Sequence, residues 1–293
     1  MKLLQDYFRD AKEGGWAIGH FNFATADVLR AIVEGAQAAD APCVMVGTSP
    51  GEAEFLGMRA AVGLVRAIRE ASEFPVFLNA DHFPSFAACR AAIDSGYDSV
   101  LYDGSRQAYE VNVIEAQRVW QYAQTKAGLP AGRQGSFMVE GELGYLKGSS
   151  EVQEVVAISP ADYTKPEEAA DFVRRTGVAR LAVAFGNIHG IVTKQKEELD
   201  IGRLIAIAKQ VPNVYLVLHG ASGLSDAQVK AAIAAGITNV HFNTELRVAY
   251  QHGLKDELAQ EPEQTTPYKL FAQAGNAVRD LVEQKVKLFM GSH

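Results

Sequence analysis

The amino-acid sequence predicts an α/β protein, specifically a (β/α)8 TIM barrel with an additional C-terminal helix. Short apolar runs alternate with helical patterns eight times along the chain, which is the order that such a barrel requires. The runs are continuously apolar, as in parallel strands covered on both faces. The 293 residues suit one such domain over 1–293, and no linker divides them. A doubly wound sheet ranks second because it usually has fewer strands.

Eight strands and the helices between them follow from these patterns. The predicted strands are 16–23, 42–48, 75–80, 99–102, 137–142, 181–185, the apolar first part of 214–225, and 239–242. The predicted helices are 26–39, 58–71, one beginning near 85, 108–125, 166–176, one beginning at 225, and 267–289. A Gly/Pro-rich loop at 129–135 and a long connection at 144–165 flank the fifth strand.

Composition and charge narrow the class of protein. The chain is 48% hydrophobic and 22% charged, with a net charge of -7, so no overall attraction to nucleic acid or an acidic membrane is expected. Cys43 and Cys89 predict two buried, reduced thiols. Asp6, Arg9 and Asp10 exclude the apolar core of a secretory signal, and no apolar run is long enough to span a bilayer. We therefore expect a soluble cytoplasmic protein.

Polar residues collect where the predicted strands end, which is where a TIM barrel builds its active site. Five of the seven histidines lie in or just after strands, whereas His252 and His293 lie on a helix and at the terminus. The polar residues at the strand ends are Asn22, Ser49, Asp81, His82, Asp103, Glu140, Glu142, His189, His219, His241 and Asn243.

Three of these histidines are predicted to bind a metal ion. A single histidine is more often structural, but His82, His189 and His219 converge on one barrel mouth. Three imidazoles leave a fourth position open, as in catalytic rather than structural zinc sites. His20 lies inside the first strand and is expected to be a core residue or to support a ligand.

Carboxylates at neighbouring strand ends complete the predicted metal site. Asp103 and Glu142 are candidates to hold the second nitrogen of a ligating histidine, or to form an alternative metal position. Asp81 and His82 are adjacent, and on a regular strand they face opposite ways. Both reach the site only if the strand ends there, which the following Phe83-Pro84 favours.

Two glycine-flanked segments predict a phosphate site. They are GNIHG (186–190) and HGASG (219–223), and the second follows the seventh strand, where barrels often bind phosphate. Ser225 and Gln228 form a capping box that opens the next helix. None of the eight strands carries a lysine, so a metal is favoured over a Schiff base as the electron sink.

These motifs resemble those of the zinc-dependent class II fructose-bisphosphate aldolases and their tagatose-bisphosphate relatives. The resemblance runs almost from end to end, and motifs of this number in this order are highly specific. They are HFNF, PVFLNADH, GYDSVLYDGS, VEGELG, TGVARLAVAFGNIHG, LVLHGASGL, GITNVHFNTELR and KVKLFMGS.

The resemblance implies a dimeric or tetrameric barrel that reversibly cleaves fructose 1,6-bisphosphate, or a close ketose bisphosphate, into dihydroxyacetone phosphate and glyceraldehyde 3-phosphate. It makes His82, His189 and His219 the zinc ligands, and Asp81 the acid that protonates the aldehyde oxygen. It implies that a Na+ or K+ ion assists at the phosphate. The residues that it assigns to substrate or phosphate are Asn22, Ser49, Gly190, Gly220, Ser222, His241, Asn243 and Thr244.

The sequence departs from the family pattern at several positions. Asn79 replaces a usual histidine, and Ala221 replaces a usual glycine. His241 stands where an asparagine usually contacts the enediolate, and Asn243 where an aspartate is usual. The proton-abstracting base aligns with Glu151 after a slip of one residue. No clear counterpart of the C-terminal arginine that binds the remote phosphate is found near Gly275.

Two other functions remain open from the residues alone. Three histidines and a carboxylate on a barrel also suit a metal-dependent hydrolase that activates water. A noncatalytic metal-binding descendant is the other alternative. In each case the expected partners are small molecules and further copies of the chain, with no nucleic acid and no membrane.

Overall fold

A computed structural model describes residues 2–126, 137–144 and 146–291 of the chain. The predicted loop at 129–135 and His293 lie outside these residues. Ten strands are described: β1 Ile18–Asn22, β2 Val44–Thr48, β3 Val76–Phe83, β4 Ser99–Tyr102, β5 Met138–Leu143, β6 Gly148–Gln153, β7 Arg180–Val183, β8 His189–Val192, β9 Tyr215–Leu218 and β10 Ile237–His241.

Helices follow or precede the strands throughout the described chain. They are α1 Leu4–Gly14, α2 Ala26–Ala38, α3 Pro50–Leu56, α4 Met58–Ser72, α5 Phe86–Ser95, α6 Tyr109–Lys126, α7 Pro166–Thr176, α8 Ile201–Gln210, α9 Asp226–Ala234, α10 Thr244–Gln260, α11 Pro267–Leu270 and α12 Ala272–Met290. None of the helices in these residues combines the length and apolarity needed to cross a membrane.

Eight of the described strands close into a parallel barrel, which confirms the predicted fold class. The order around the barrel is β1-β10-β9-β7-β5-β4-β3-β2. Closure is made by β1 and β10, which pair in parallel with Ile18 opposite Asn239 and His20 opposite His241. Because all strands run the same way, their carboxyl ends meet at one mouth.

The apolar runs become strands because they are buried on both sides. Every residue of β1, β2, β4, β5 and β10 is buried. The helices cover the outside of the barrel with their apolar stripes, as the amphipathic patterns predict. The last helix, α12, packs between α2 and α10, and the backbone N–H of Ala17 donates to the carbonyl of Phe289 near its end.

Several elements differ from the sequence prediction. The long connection after β5 contains β6, which pairs in parallel with β8 as a separate two-stranded sheet. The C-terminal helix is divided at Phe271 into α11 and α12. Helices α1, α3, α8 and α10 were not singled out by periodicity. Helix α1 closes the amino-terminal end of the barrel, where Phe8 is fully buried against Met45, Phe77 and their neighbours.

Candidate active site

A pocket of about 450 Å³ opens at the carboxyl ends of the barrel strands. Seven of the eight barrel strands contribute residues in or directly after them, and His189 and Gly190 of β8 line it in the connection after β7. The predicted site residues that line it are Asn22, Ser49, Asp81, His82, Asp103, Glu142, His189, Gly190, His219, Gly220, Ser222, His241, Asn243 and Thr244. Glu151 is the predicted site residue that does not line it.

A bulge in β3 allows two neighbouring residues to face the pocket. The strand does not end at Ala80 as predicted but continues to Phe83, and its register against β4 shifts between these two residues. His82, inside the shift, has a φ of 54°, which is rare for a residue with a side chain. The bulge replaces the predicted strand end, so Asp81 and His82 both line the same cavity.

Five histidines form a continuous series of ring contacts at this mouth. His20 stacks on His241 with centroids 3.6 Å apart, and His241 lies 3.9 Å from His219. His82 is 4.6 Å from His219 and 4.7 Å from His189. His20 is almost fully buried and contacts Asn79, as expected for a core residue.

The three predicted ligands bring their nitrogens close enough for one metal ion. The ligand atoms of His82, His189 and His219 all lie within 4.8 Å of one another. His82 Nε2 and His189 Nε2 are 3.2 Å apart. Two nitrogens of a tetrahedral zinc site are ~3.3 Å apart, from zinc–nitrogen bonds of ~2.0–2.1 Å. This donor set therefore fits a zinc ion with further coordination positions open.

Carboxylates fix the tautomers of two of these histidines. His82 Nδ1 lies 3.0 Å from Asp103 Oδ2 and 3.2 Å from Glu142 Oε2, so its Nε2 faces His189. His219 Nε2 donates to Glu140 Oε1 at 2.8 Å, which leaves His219 Nδ1 for a metal. Each carboxylate thus sets which nitrogen is free to bind a metal.

Glu140 is itself held by a buried cation. Arg180 Nη1 lies 2.9 Å from Glu140 Oε2, and both side chains are fully buried inside the barrel. Arg180 also donates to Asn79 Oδ1 at 2.9 Å and to Asn239 Oδ1 at 3.2 Å. Burial disfavours the ionised form of Glu140, but Arg180 and His219 outweigh it and lower the pKa of this carboxyl.

Electrostatics at the histidines distinguish their roles. Burial opposes protonation of His82, but Asp81, Glu142 and Asp103 outweigh it and hold its pKa well above the usual value. Burial, with His82 and His219 nearby, holds the pKa of His189 well below its usual value. Since a ligand must be deprotonated to bind, a metal ion has to displace the proton from His82.

Asp81 is a buried carboxylate with two fixed partners. Its Oδ1 lies 3.1 Å from His241 Nδ1, and its Oδ2 accepts from Asn22 Nδ2 at 3.0 Å. Burial opposes its ionisation, but the neighbouring His82 and His241 outweigh burial and hold the pKa of Asp81 well below its usual range. Asp81 is therefore ionised at neutral pH and can accept a proton.

The glycine-rich turns pack tightly beside the metal ligands. Gly220 has a φ of 67°, and a Cβ there would lie 2.0 Å from the carbonyl oxygen of Ile188. Gly190 has a φ of 94°, and a Cβ there would lie 2.2 Å from the carbonyl oxygen of Glu151. Both positions therefore require glycine. Within the described chain, the amides of Gly220 and Ser222 donate to no protein acceptor, so they are free to bind an anion.

The start of α10 completes this side of the pocket. Asn243 is the N-cap residue of this 17-residue helix, and Thr244 is its first residue. Asn243 Oδ1 is buried and has no hydrogen-bond partner among the described residues. A helix N-terminus favours negative charge, and an unpaired amide oxygen can accept from a substrate hydroxyl. The turn after β9 and the start of α10 could therefore receive an anion, and we call them the anion cradle.

Glu151 is not in the pocket. It lies in β6 with an exposed side chain, and the alternating direction of strand residues turns Ser150 inward instead. Ser150 Oγ is 3.4 Å from Thr244 Oγ1 and 3.0 Å from Arg247 Nη2. The role of Glu151 as base stays a prediction.

Sequence reasoning missed several residues of the pocket and its support. Glu52, Arg106 and Arg247 line the pocket, and Asn187 joins the ends of β7 and β9 by donating to the carbonyl of His219. Glu52 had a recognisable local signal, because Ser49-Pro50-Gly51-Glu52 is a capping-box pattern, and Asn187 lies inside the GNIHG segment. The others depend on contacts between distant parts of the chain.

Comparisons with known proteins agree with this site. The sequence model of the family described as "Fructose-bisphosphate aldolase class-II" matches residues 2–293. The fructose-bisphosphate aldolase of Geobacillus stearothermophilus is 30% identical over 292 residues, covering 99% of this chain and 96% of its own. That of Staphylococcus aureus (strain Mu50 / ATCC 700699) is 32% identical over 291 residues, covering 98% and 96%.

Solved structures show the same architecture. The YdjI aldolase from Escherichia coli K12 superposes with a TM-score of 0.79 at 27% identity, covering 98% of this chain and 96% of its own. A putative fructose-1,6-biphosphate aldolase from Coccidioides immitis has a TM-score of 0.80 at 24% identity, covering 98% and 95%, and supports the fold alone. The match of the family model to nearly the whole chain, and the aldolase relatives at this identity, show that the chain is a carbon–carbon lyase that belongs to the class II fructose-bisphosphate aldolase family.

Proposed function

We propose that the chain is a zinc-dependent aldolase that reversibly cleaves a phosphorylated ketose into dihydroxyacetone phosphate and an aldehyde. One observation carries this proposal: three histidine nitrogens within 4.8 Å of one another share one pocket with the carboxylate of Asp81 and the anion cradle. Fructose 1,6-bisphosphate is the first substrate to test, because the relatives are fructose-bisphosphate aldolases.

The anion cradle orients the substrate. The free amides of Gly220 and Ser222, with the start of α10 opposite them, suit the phosphate of dihydroxyacetone phosphate. Asn243 Oδ1 is available to a hydroxyl of the same fragment. Holding this fragment at one end places the bond to be broken over the histidines, which removes most of the orientational freedom of the reaction.

Asp81 moves the proton of the aldehyde fragment. In cleavage its ionised carboxylate accepts the proton of the substrate hydroxyl that becomes the aldehyde oxygen. In condensation the same carboxyl returns this proton, which is the acid role implied by the family resemblance. His241 and Asn22 hold the two oxygens of Asp81 in place for both directions.

His82, His189 and His219 would hold the zinc ion. Zinc there supplies a Lewis acid that stabilises negative charge on the substrate carbonyl oxygen as the carbon–carbon bond breaks. Asp103 and Glu142 support His82 and offer a second divalent position, since the three residues group their ligand atoms within 4.8 Å. A Na+ or K+ ion beside the phosphate is part of the same proposal.

Assembly and location are also proposed. A homodimer or homotetramer is supported by exposed aromatic side chains, since Phe55 and Tyr268 are each 75% exposed in the single chain. Sedimentation of the purified protein would test whether the chain assembles and into how many subunits. A cytoplasmic location is supported by the two free cysteines, Cys43 and Cys89.

A substrate panel tests the proposed reaction. Purified protein with zinc is assayed for cleavage of fructose and tagatose bisphosphates and their 1-phosphates, and for condensation of dihydroxyacetone phosphate with aldehydes, with and without a chelator. We expect triose products that disappear with chelator. Absence of both cleavage and condensation would contradict the proposal, and phosphate release without triose would point to a hydrolase.

A further inference from the structure

Glu52 occupies the side of the pocket that faces the remote end of a substrate. It follows β2, and β2 lies directly across the barrel from β7, with three strands between them on either side. On the phosphate side, Gly190 lies on β8 in the connection after β7, and Gly220 lies just after β9. A ketose held there by its 1-phosphate therefore extends its other end toward Ser49 and Glu52, a region that we call the β2 corner.

Glu52 engages two hydrogen-bond donors of the β2 corner. The backbone N–H of Ser49 donates to Glu52 Oε2 at 2.7 Å, and Asn22 Nδ2 donates to the same oxygen at 3.0 Å. The second hydrogen of Asn22 goes to Asp81 Oδ2 at 3.0 Å. A phosphate binds through N–H and O–H donors and cations. At this corner it meets the carboxylate oxygens of Glu52, which hold Ser49 N–H and Asn22 Nδ2.

The cations that line the pocket lie elsewhere. Arg247 is on α10 beside the anion cradle, where its Nη2 donates to Ser150 Oγ at 3.0 Å. Arg106 follows β4, two strands away from β2 around the barrel. Like charges placed together lower affinity, and specificity often rests on such a repulsive element.

We infer that Glu52 selects substrates whose remote end is uncharged and carries hydroxyl groups, so that the preferred ketose is a 1-phosphate and the preferred aldehyde is an unphosphorylated polyhydroxy aldehyde. The hydroxyl hydrogens of such a substrate can donate to the carboxylate oxygens of Glu52, whereas a terminal phosphate cannot. This inference deepens the proposed aldolase function and rests on it. It gives Ser49 a capping role for α3, in place of the predicted contact with a second phosphate.

The test compares two matched pairs of substrates in three proteins. For cleavage, kcat/KM is compared between fructose 1-phosphate and fructose 1,6-bisphosphate. For condensation with dihydroxyacetone phosphate, kcat/KM is compared between glyceraldehyde and glyceraldehyde 3-phosphate. The proteins are the natural chain, Glu52→Gln and the control Glu54→Gln. Glu54 lies two residues along α3 with an exposed side chain.

We expect the natural chain and Glu54→Gln to prefer the substrates with an uncharged remote end. Glu52→Gln removes the charge, and we expect it to shift the ratio toward the phosphorylated partners by at least about tenfold. A natural chain that prefers the bisphosphate would overturn the inference. If Arg106→Ala then lost that preference, the result would show that Arg106 binds the remote phosphate. An unchanged ratio in Glu52→Gln would also overturn it.

Proton exchange at the reacting carbon of dihydroxyacetone phosphate separates this inference from the proposed function. Exchange needs no aldehyde, so we expect the natural chain and the control Glu54→Gln to exchange equally. Exchange lost only in Glu52→Gln would place Glu52 at the reacting carbon and overturn its role in selection. A natural chain that neither exchanges nor condenses with zinc present would contradict the aldolase proposal itself.

Discussion

The two ends of the barrel use similar polar residues for different purposes. Toward the amino-terminal end, Arg180 is fully buried, pairs with Glu140 and donates to Asn79 and Asn239. Helix α1 then seals this end with an apolar face. At the carboxyl end the pocket is open, and buried groups such as Asn243 Oδ1 lack a protein partner among the described residues. Toward the closed end the charges are paired with each other, whereas the open end leaves a pocket that can receive a ligand.

Residues at the amino-terminal end of the barrel therefore mainly stabilise the fold, whereas residues at the carboxyl end mainly serve the reaction. A buried charge without its partner is strongly destabilising, so the Arg180–Glu140 pair must remain complete for the fold to persist. The unpaired groups at the mouth lower stability, but they are what a substrate and a metal ion would bind. The two ends are joined by Glu140, which contacts both Arg180 and His219.

Removing a metal ligand gives the largest expected effect at the open end. We expect His219→Ala to abolish both zinc binding and cleavage, since it removes one of three protein ligands. Metal analysis and the cleavage assay measure the two losses. His252→Ala, an exposed histidine on α10, serves as the control. Unchanged zinc content in His219→Ala would show that this ligand set is wrong.

Removing Asp81 separates chemistry from metal binding within the same end. We expect Asp81→Ala to retain zinc and to lower kcat by about 10²- to 10⁴-fold, because the proton of the substrate hydroxyl loses its acceptor. Zinc content and steady-state kinetics check the two parts. Loss of zinc together with activity would instead indicate that Asp81 acts mainly by positioning His82.

The predicted proton-abstracting base, Glu151, lies on β6 at the edge of the open end. We expect Glu151→Ala to slow proton exchange of dihydroxyacetone phosphate by about 10²-fold, and Ser150→Ala to slow it much less. This outcome requires β6 to turn Glu151 inward when substrate is bound, because its side chain is exposed here. Exchange that depends on Ser150 instead would contradict the one-residue slip in the alignment.

A change at the sealed end should leave the site unchanged. Phe8 is fully buried under Arg180, whose guanidinium carbon lies 5.5 Å from the ring centroid. We expect Phe8→Ala to lower the free energy of unfolding by about 3–5 kcal/mol, with kcat and zinc affinity unchanged below the melting temperature. Denaturant unfolding measures the first quantity, and Ile114→Ala, on a half-exposed side chain of α6, is the control. Weaker zinc binding in Phe8→Ala would mean that the ends are coupled through Arg180 and Glu140.

The open end was largely predictable from the sequence because its residues follow directly after the apolar runs. His82 and His219 stand at such points and His189 follows one after a short glycine-containing turn, and parallel strands must bring these points together. The glycines of 219–223 were recognisable because small residues between a strand and a helix suit an anion site. The fold class and the candidate residues could therefore be predicted from local patterns, together with the rule that parallel barrel strands all end at the same mouth.

The rest depends on contacts that no local pattern contains. Arg180 precedes the apolar run at 181–185 and was left outside the predicted strand, because a fully buried arginine is rare without a distant partner such as Glu140. The bulge at His82 is a backbone irregularity with no glycine to mark it. Glu52 matched a capping box, but its contact with Asn22 on another strand was needed to place it in the pocket.

The position of α1 has a consequence for how the chain folds during synthesis. Lys12 Nζ donates to the carbonyl of Val214 at 2.9 Å, across a separation of 202 residues, and α1 also contacts β10. Helix α1 is synthesised first, but the end of the barrel against which it packs is complete only after β10 has been made, at about residue 241. Contacts of such sequence separation form slowly and leave apolar surface exposed meanwhile. Until then the face of α1 that carries Tyr7 and Phe8 is open to aggregation and to chaperones.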